Sequence, residues 1–206
     1  MEIEQKKIYE AKIITLGDSM VGKTCLMFRF VENVFTANYL STIGFDLKKK
    51  IVKLDSGEKI KLIFHDTAGQ ERFKSLSRSY ITKADGILVV YDITNKQSFM
   101  NVENWIKSAK EELTKSVPIY LIGNKSDLEE DRVIDKEAGI NMSEQLGLKF
   151  YETSCKNGNN VEKCFKDMAK ELNDNFKKRD GDGSKNNKKG KNVKLEKKDS
   201  HKKKCC

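Results

Sequence analysis

The chain has 206 residues, 37% hydrophobic and 34% charged, with a formal net charge of +9. That is enough for one domain with its own core plus a tail, and no run approaches the ~18 apolar residues that a membrane span needs. Between Lys177 and Lys204 thirteen Lys/Arg stand against four Asp/Glu, so residues 1–176 are balanced; a nucleic-acid-binding domain spreads its basic surface over the fold instead.

The opening residues, Met1 to Lys7, are charged and lack an apolar signal core, so a cytosolic protein is expected. The cysteines Cys25, Cys155, Cys164, Cys205 and Cys206 show neither zinc-ligand nor CxxC spacing and are expected as free thiols in a reducing compartment.

Lys12–Leu16 is short, rich in β-branched residues and ends at Gly17, which predicts a buried strand. A loop follows, then a helix from Lys23 to about Phe30. Two strands, Leu47–Leu54 and Lys59–His65, flank the turn signal Asp55-Ser56-Gly57-Glu58 and predict a hairpin. The runs 87–91 and 119–123 are continuously apolar, as parallel strands are when both faces are covered. A last strand is predicted near residues 149–152. Phe99, Val102, Ile106, Ala109 and Leu113 form one helical stripe, and Val161, Phe165, Met168 and Leu172 form another, each a core-facing side of a helix. Alternating strands and helices define an α/β fold with a mostly parallel sheet, whose ligands bind at the carboxyl ends of the strands. From about Asn173 the apolar pattern decays, and residues 180–204 have the composition of a disordered segment.

The loop Gly17-Asp18-Ser19-Met20-Val21-Gly22-Lys23-Thr24 fits GxxxxGK[ST] between a strand and a helix. Such a loop wraps backbone N–H groups around phosphates, sends its lysine to the outer phosphates and offers a hydroxyl to a magnesium ion (Mg2+). This points to a nucleoside triphosphate and leaves the base open. Asn124-Lys125-Ser126-Asp127 follows a predicted strand. The Asp127 carboxylate can accept from the guanine N1–H and exocyclic amine, a donor pair that adenine lacks.

A third element, Asp66-Thr67-Ala68-Gly69-Gln70, also follows a strand. With it the chain, from about residue 9 to 177, resembles the small GTPases and within them the Rab family. Further Rab-like stretches are Ser41-Thr42-Ile43-Gly44, Glu71-Arg72-Phe73, Tyr91-Asp92-Ile93-Thr94 and Thr153-Ser154-Cys155-Lys156. The resemblance implies a three-layer P-loop GTPase domain at 1–176, with a six-stranded, mostly parallel sheet and helices on both faces. The resemblance further implies that residues 177–206 form a disordered basic tail ending in prenylated Cys205-Cys206.

It also implies site roles. Ser19, Met20, Val21, Gly22, Lys23, Thr24 and Cys25 line the phosphates, and Phe35 and Tyr39 lie by the nucleotide. Thr24, Thr42 and Asp66 serve Mg2+, with Asp66 holding one of its waters. Lys23, Gly69 and Gln70 carry catalysis, Gln70 by orienting the attacking water. Asn124, Lys125, Asp127, Ser154, Cys155 and Lys156 frame guanine. The implied reaction is hydrolysis of GTP to GDP and phosphate, with GTP/GDP states switching a regulator of vesicle traffic. The intrinsic rate is slow and stimulated by an activating protein.

Other implied partners are an exchange factor, a GDP-dissociation inhibitor, a prenylation escort protein and effectors such as tethers and motors. The implied anchor is two geranylgeranyl groups plus the basic tail, holding a monomer at the cytosolic face of intracellular membranes. No nucleic-acid role is expected, since the tail lacks stacking platforms.

Two positions depart from the family pattern. Met20 stands where Rabs usually carry Gly and is expected to point to solvent. The aromatic effector cluster of Rabs maps here onto Leu47, His65 and Tyr80, with His65 replacing Trp, so an altered effector set is expected.

Overall fold

The computed structural model describes residues 7–36, 47–65 and 79–186. Among them the strands are β1 (Tyr9–Leu16), β2 (Leu47–Lys53), β3 (Lys59–His65), β4 (Gly86–Asp92), β5 (Ile119–Asn124) and β6 (Lys149–Thr153). The helices are α1 (Lys23–Glu32), α2 (Lys96–Met100), α3 (Val102–Glu112), α4 (Lys136–Leu146) and α5 (Val161–Asn186). The strands form one sheet in the order β2-β3-β1-β4-β5-β6. Only the β2–β3 hairpin is antiparallel; β1 pairs parallel with β3 and β4, and β5 pairs parallel with β4 and β6. Crossing from β3 to β1 and on to β4 reverses the order, which opens a crevice at the carboxyl ends of the strands.

Every residue of β4 and β5 is buried, because helices cover both faces. On one face Ala11, Ile13, Leu62, Phe64 and Val90 pack with α1 and α5 through Leu26, Phe30, Phe165 and Met168. Phe30 stacks on Phe165 at 4.2 Å, and Phe64 meets Phe165 edge-on. The α5 stripe of Val161, Phe165, Met168 and Leu172 is at most 2% exposed, and full burial of each such side chain is worth about 1.5–3 kcal/mol. On the other face Ile14, Leu16, Ile87, Val89 and Leu121 pack with Val102, Ile106 and Ala109 of α3.

The predicted helical stripe 99–113 is divided at Asn101 into α2 and α3. The helix α4 was not foreseen in the sequence, because its buried positions are Gly139 and Ser143, residues that punctuate loops in most contexts. Gly139 is required there: a Cβ would lie 2.6 Å from the Phe150 ring and the Tyr91 hydroxyl.

The final helix runs to Asn186, so residues 177–186, expected to belong to a disordered tail, are helical. Contacts with the body explain the extension up to Asp180. Phe176 stacks on Tyr9 at 5.3 Å, and Lys177 pairs with Glu58 of the hairpin at 2.6 Å. Asp180 accepts from Lys7 Nζ and Tyr9 Oη, both at 2.7 Å.

Candidate functional site

The strand β1 ends at Leu16, and the loop 17–22 carries the chain into α1. Three of its residues have positive φ: Gly17 (135°), Met20 (65°) and Gly22 (96°). A Cβ on Gly17 would lie 2.1 Å from the Val90 carbonyl oxygen, and one on Gly22 would lie 2.3 Å from Asn124 Nδ2. Glycine is therefore needed at both ends of the loop. Left-handed residues of this kind bend successive peptide N–H groups into an anion-binding concavity. The N-terminus of α1 continues it: the N-cap Gly22 offers no side-chain acceptor and the first turn carries no acid. The first-turn N–H groups and the positive end of the helix dipole suit phosphate.

Lys23 is buried at 6% exposure, and its Nζ donates to the carbonyls of Gly17 at 2.8 Å and Asp18 at 2.5 Å. This braces the loop around its lysine. Val21 and Thr24 are buried, Cys25 is half-buried and Ser19 is exposed. Met20 is 70% exposed, so its side chain faces solvent. Asp18 anchors the loop from behind, accepting from Trp105 Nε1 and Asn101 Nδ2, each at 2.7 Å. Trp105 and Asn101 escaped the sequence reading, because nothing in their spacing ties α3 to residue 18.

The second half of the site lies at the ends of β5 and β6. Asn124 is buried, and its Nδ2 donates to the Val21 carbonyl at 2.8 Å. Its Oδ1 accepts from Thr153 Oγ1 at 3.1 Å and Cys155 Sγ at 3.4 Å. One side chain thus ties the phosphate loop to both base-side segments. Lys125 has φ 69° and pairs with Asp92 at 2.6 Å. Asp92, at the end of β4, belongs to the Rab-like stretch Tyr91-Asp92-Ile93-Thr94.

Asp127 Oδ1 accepts from Ser154 Oγ at 2.5 Å, which fixes the orientation of the carboxylate. The Ser126 hydroxyl is buried with no hydrogen-bond partner among the described residues, a further polar group in this loop with capacity for a ligand. Cys155 is buried, and desolvation before all else pushes its thiol up to about 12; it is a packing thiol, not a nucleophile. Lys156 is exposed, and its carbonyl accepts from Arg29 at 3.3 Å. Phe35 is 38% exposed beyond the end of α1.

The remaining positions divide in two. Tyr39, Thr42, Asp66, Gly69, Gln70, Cys205 and Cys206 lie outside the described residues. The mapped effector trio is brought together: His65 faces Leu47 across the β2–β3 register, and its ring lies 5.0 Å from that of Tyr80. His65 Nε2 is buried with no hydrogen-bond partner among the described residues. Burial first, and then the charge of Lys12, hold its imidazole below the ordinary value.

A glycine-ended phosphate loop, strapped by an asparagine to an Asp-bearing base loop across a parallel sheet, defines a P-loop GTPase domain. Residues 12–174 match the model of the Ras family. The chain is 47% identical over 161 residues to the Ras-related protein Rab-13 of Canis lupus familiaris, covering 78% of this chain and 79% of the relative. It is 46% identical over 164 residues to Rab-8B of Homo sapiens, covering 80% and 79%. Rab-8 of Diplobatis ommata is 47% identical over 164 residues, covering 80% and 78%. The chain belongs to the Rab family of small GTPases. As such it binds guanine nucleotide, hydrolyses GTP to GDP and phosphate, and cycles between the two states to regulate membrane trafficking through regulators and effectors.

Proposed function

We propose that this GTPase works as a Mg2+-dependent switch whose chemistry is done by Lys23, Gly69 and Gln70 and whose output is read at Leu47, His65 and Tyr80. The observation that carries the reading is the Asn124–Val21 hydrogen bond at 2.8 Å. It supports a single nucleotide site, with Ser19 to Cys25 contributing from the phosphate side and Asn124, Lys125, Asp127, Ser154, Cys155 and Lys156 from the base side. Phe35 and Tyr39 cover the nucleotide.

The hydroxyls of Thr24 and Thr42, with the Asp66 carboxylate holding one of the ion's waters, would make an all-oxygen set of the kind that Mg2+ takes. When bound there, Mg2+ would supply positive charge that offsets the charge of the phosphates. Lys23 supplies a fixed positive charge, held by two loop carbonyls, to the outer phosphates. The Gly69 N–H donates to the γ-phosphate, and the Gln70 amide orients the attacking water. No arginine lies in the phosphate loop, so intrinsic turnover is slow and an activating protein accelerates it by roughly 10³–10⁵. Loss of the γ-phosphate releases Thr42 and Gly69, and the loops that carry these two residues relax.

In this reading residues 1–176 are the GTPase domain and 177–206 the tail. Geranylgeranyl groups on Cys205 and Cys206 anchor it, with help from the lysines before them. An exchange factor, a GDP-dissociation inhibitor, an escort protein for prenylation, and tether or motor effectors are its partners. It acts as a monomer at the cytosolic face of intracellular membranes. Single-turnover hydrolysis by Gln70→Leu tests the chemistry: a rate at least tenfold below the parent supports it, and an unchanged rate removes Gln70 from the mechanism.

A further inference from the structure

The face of the sheet turned away from α1 and α5 carries an excess of lysine. Directly paired residues share a face, and the register places Leu47, Lys49, Ile51 and Lys53 of β2 opposite His65, Ile63, Lys61 and Lys59 of β3. Ile63 and Lys61 in turn pair with Lys12 and Glu10 of β1. Five lysines (12, 49, 53, 59 and 61) therefore lie across three neighbouring strands. Lys61 is paired with Glu10 at 2.8 Å. Lys12, Lys49, Lys53 and Lys59 are exposed and have no ion-pair partner among the described residues. Between them stand exposed apolar side chains, Ile51 at 58% and Leu47 at 48%.

Protection of a sheet edge does not account for this pattern. Edge strands carry lysine to discourage pairing with other chains, which covers Lys49 and Lys53 on β2. Lys59 on the second strand and Lys12 on the third need another reason. Lys53 and Lys59 stand directly opposite each other, a like-charge pair that weakens a hairpin. A local cost without local benefit marks a functional surface. Asp85, an acid beside Lys12, is already engaged: it accepts from the Lys12 backbone N–H and from Lys115.

We propose that this face recognises a partner protein through an acidic, apolar-interleaved segment, its carboxylates set against Lys12, Lys49, Lys53 and Lys59 and its apolar side chains against Leu47 and Ile51. The inference rests on the effector-face reading of Leu47, His65 and Tyr80 and adds the chemistry of the partner. Charge complementarity selects the acid. The occupant is a protein and not an anionic membrane, because the helix leading to the lipidated end packs on the opposite face of this sheet.

The test uses the full chain carrying Gln70→Leu and loaded with GTP, against three pools of 15-residue peptides. In each pool leucine and phenylalanine alternate with Glu/Asp, with Gln/Asn or with Lys/Arg. The acidic pool is expected to bind at least tenfold more tightly than either other pool and to weaken as salt rises. Replacing Lys12, Lys49 and Lys59 together by Gln should weaken acidic binding at least tenfold, while Gln at Lys202, Lys203 and Lys204 should not. Thermal melting of each variant checks that it folds. Equal binding of all pools, or insensitivity to the triple substitution, overturns the proposal. So does lysine-dependent binding to phosphatidylserine vesicles without binding to the acidic pool. If the parent chain fails to retain GTP, the nucleotide reading itself fails; if GTP is retained and the acidic pool is ignored, only this inference fails.

Discussion

The Asn124 side-chain amide donates 2.8 Å to the Val21 carbonyl, and the same side chain accepts from Thr153 and Cys155. The phosphate loop and the base loop thus share one buried residue, and loosening either should loosen both. Asn124→Ala leaves the Val21 carbonyl and the Thr153 hydroxyl buried and unpaired, at about 1–3 kcal/mol. GDP release followed with a fluorescent analogue should quicken about tenfold or more, and the urea midpoint should fall. If release and midpoint are both unchanged, the strap has no mechanical role.

Base choice is expected to reside in Asp127, held by the 2.5 Å bond from Ser154. A site built to pair a donor on its ligand rejects the analogue lacking it by roughly 10⁴–10⁵. Asp127→Ala should therefore erase at least two orders of magnitude of the preference for GTP over ATP in competition binding. Ser154→Ala should cost less, since the carboxylate survives without its orienting partner.

Met20 sits at φ 65° with its side chain 70% exposed. A left-handed non-glycine residue costs roughly 1–2 kcal/mol, and glycine returns about 0.4–1 kcal/mol of that through the freedom of the unfolded chain. Met20→Gly should raise the unfolding free energy by up to about 1 kcal/mol, whereas Met20→Ala should not. Matching melting curves for the two variants would show that the backbone there is not strained.

The buried thiol of Cys155 gives a pH signature. Burial pushes it up to about 12, while an unfolded cysteine titrates near ~8.5. Between these values the folded chain holds a proton that the unfolded chain has released, so stability falls as pH rises. The contribution is complete below pH ~8.5 and is lost on approaching 12. Cys164, also raised by desolvation, is common to both proteins compared. The stability gap between the parent and Cys155→Ala should therefore shift by about 2 kcal/mol against the parent between pH 8.5 and 10.5. A constant gap in urea titrations at the two pH values would contradict this.

The α5 extension carries its own test. Phe176, half-buried, stacks on Tyr9, and loss of such a ring costs about 1–2 kcal/mol. Phe176→Ala should lower the urea midpoint, and Lys178→Ala, on an exposed position, should not.

Much of this molecule could be read from its residues in order. The strands β1, β4 and β5 are apolar runs that end at Leu16, Asp92 and Asn124, and the ends of β1 and β5 carry the phosphate loop and Asn124-Lys125-Ser126-Asp127; the lysine-rich β2 was legible from the turn signal Asp55-Ser56-Gly57-Glu58 that joins it to β3. What escaped had no local signal. The helix α4 buries Gly139 and Ser143, which do not look like a core. The end of α5 is stabilised by Tyr9, Glu58 and Lys7, residues more than a hundred positions away, so its composition suggested disorder. Asp18 was legible as part of the phosphate loop, but its bonds to Trp105 and Asn101 arise only when α3 packs beside it. Asp92 was visible as a Rab-like residue, yet its pairing with Lys125 depends on two neighbouring strands ending level.

The central claim, a single pocket joining phosphate loop and base loop around guanine nucleotide, is tested most directly by the nucleotide that the purified chain retains. Denaturation followed by anion-exchange chromatography should release close to one GDP or GTP per chain, and excess ATP should fail to displace it. Release of no nucleotide, or exchange for ATP as ready as for GTP, would contradict the account.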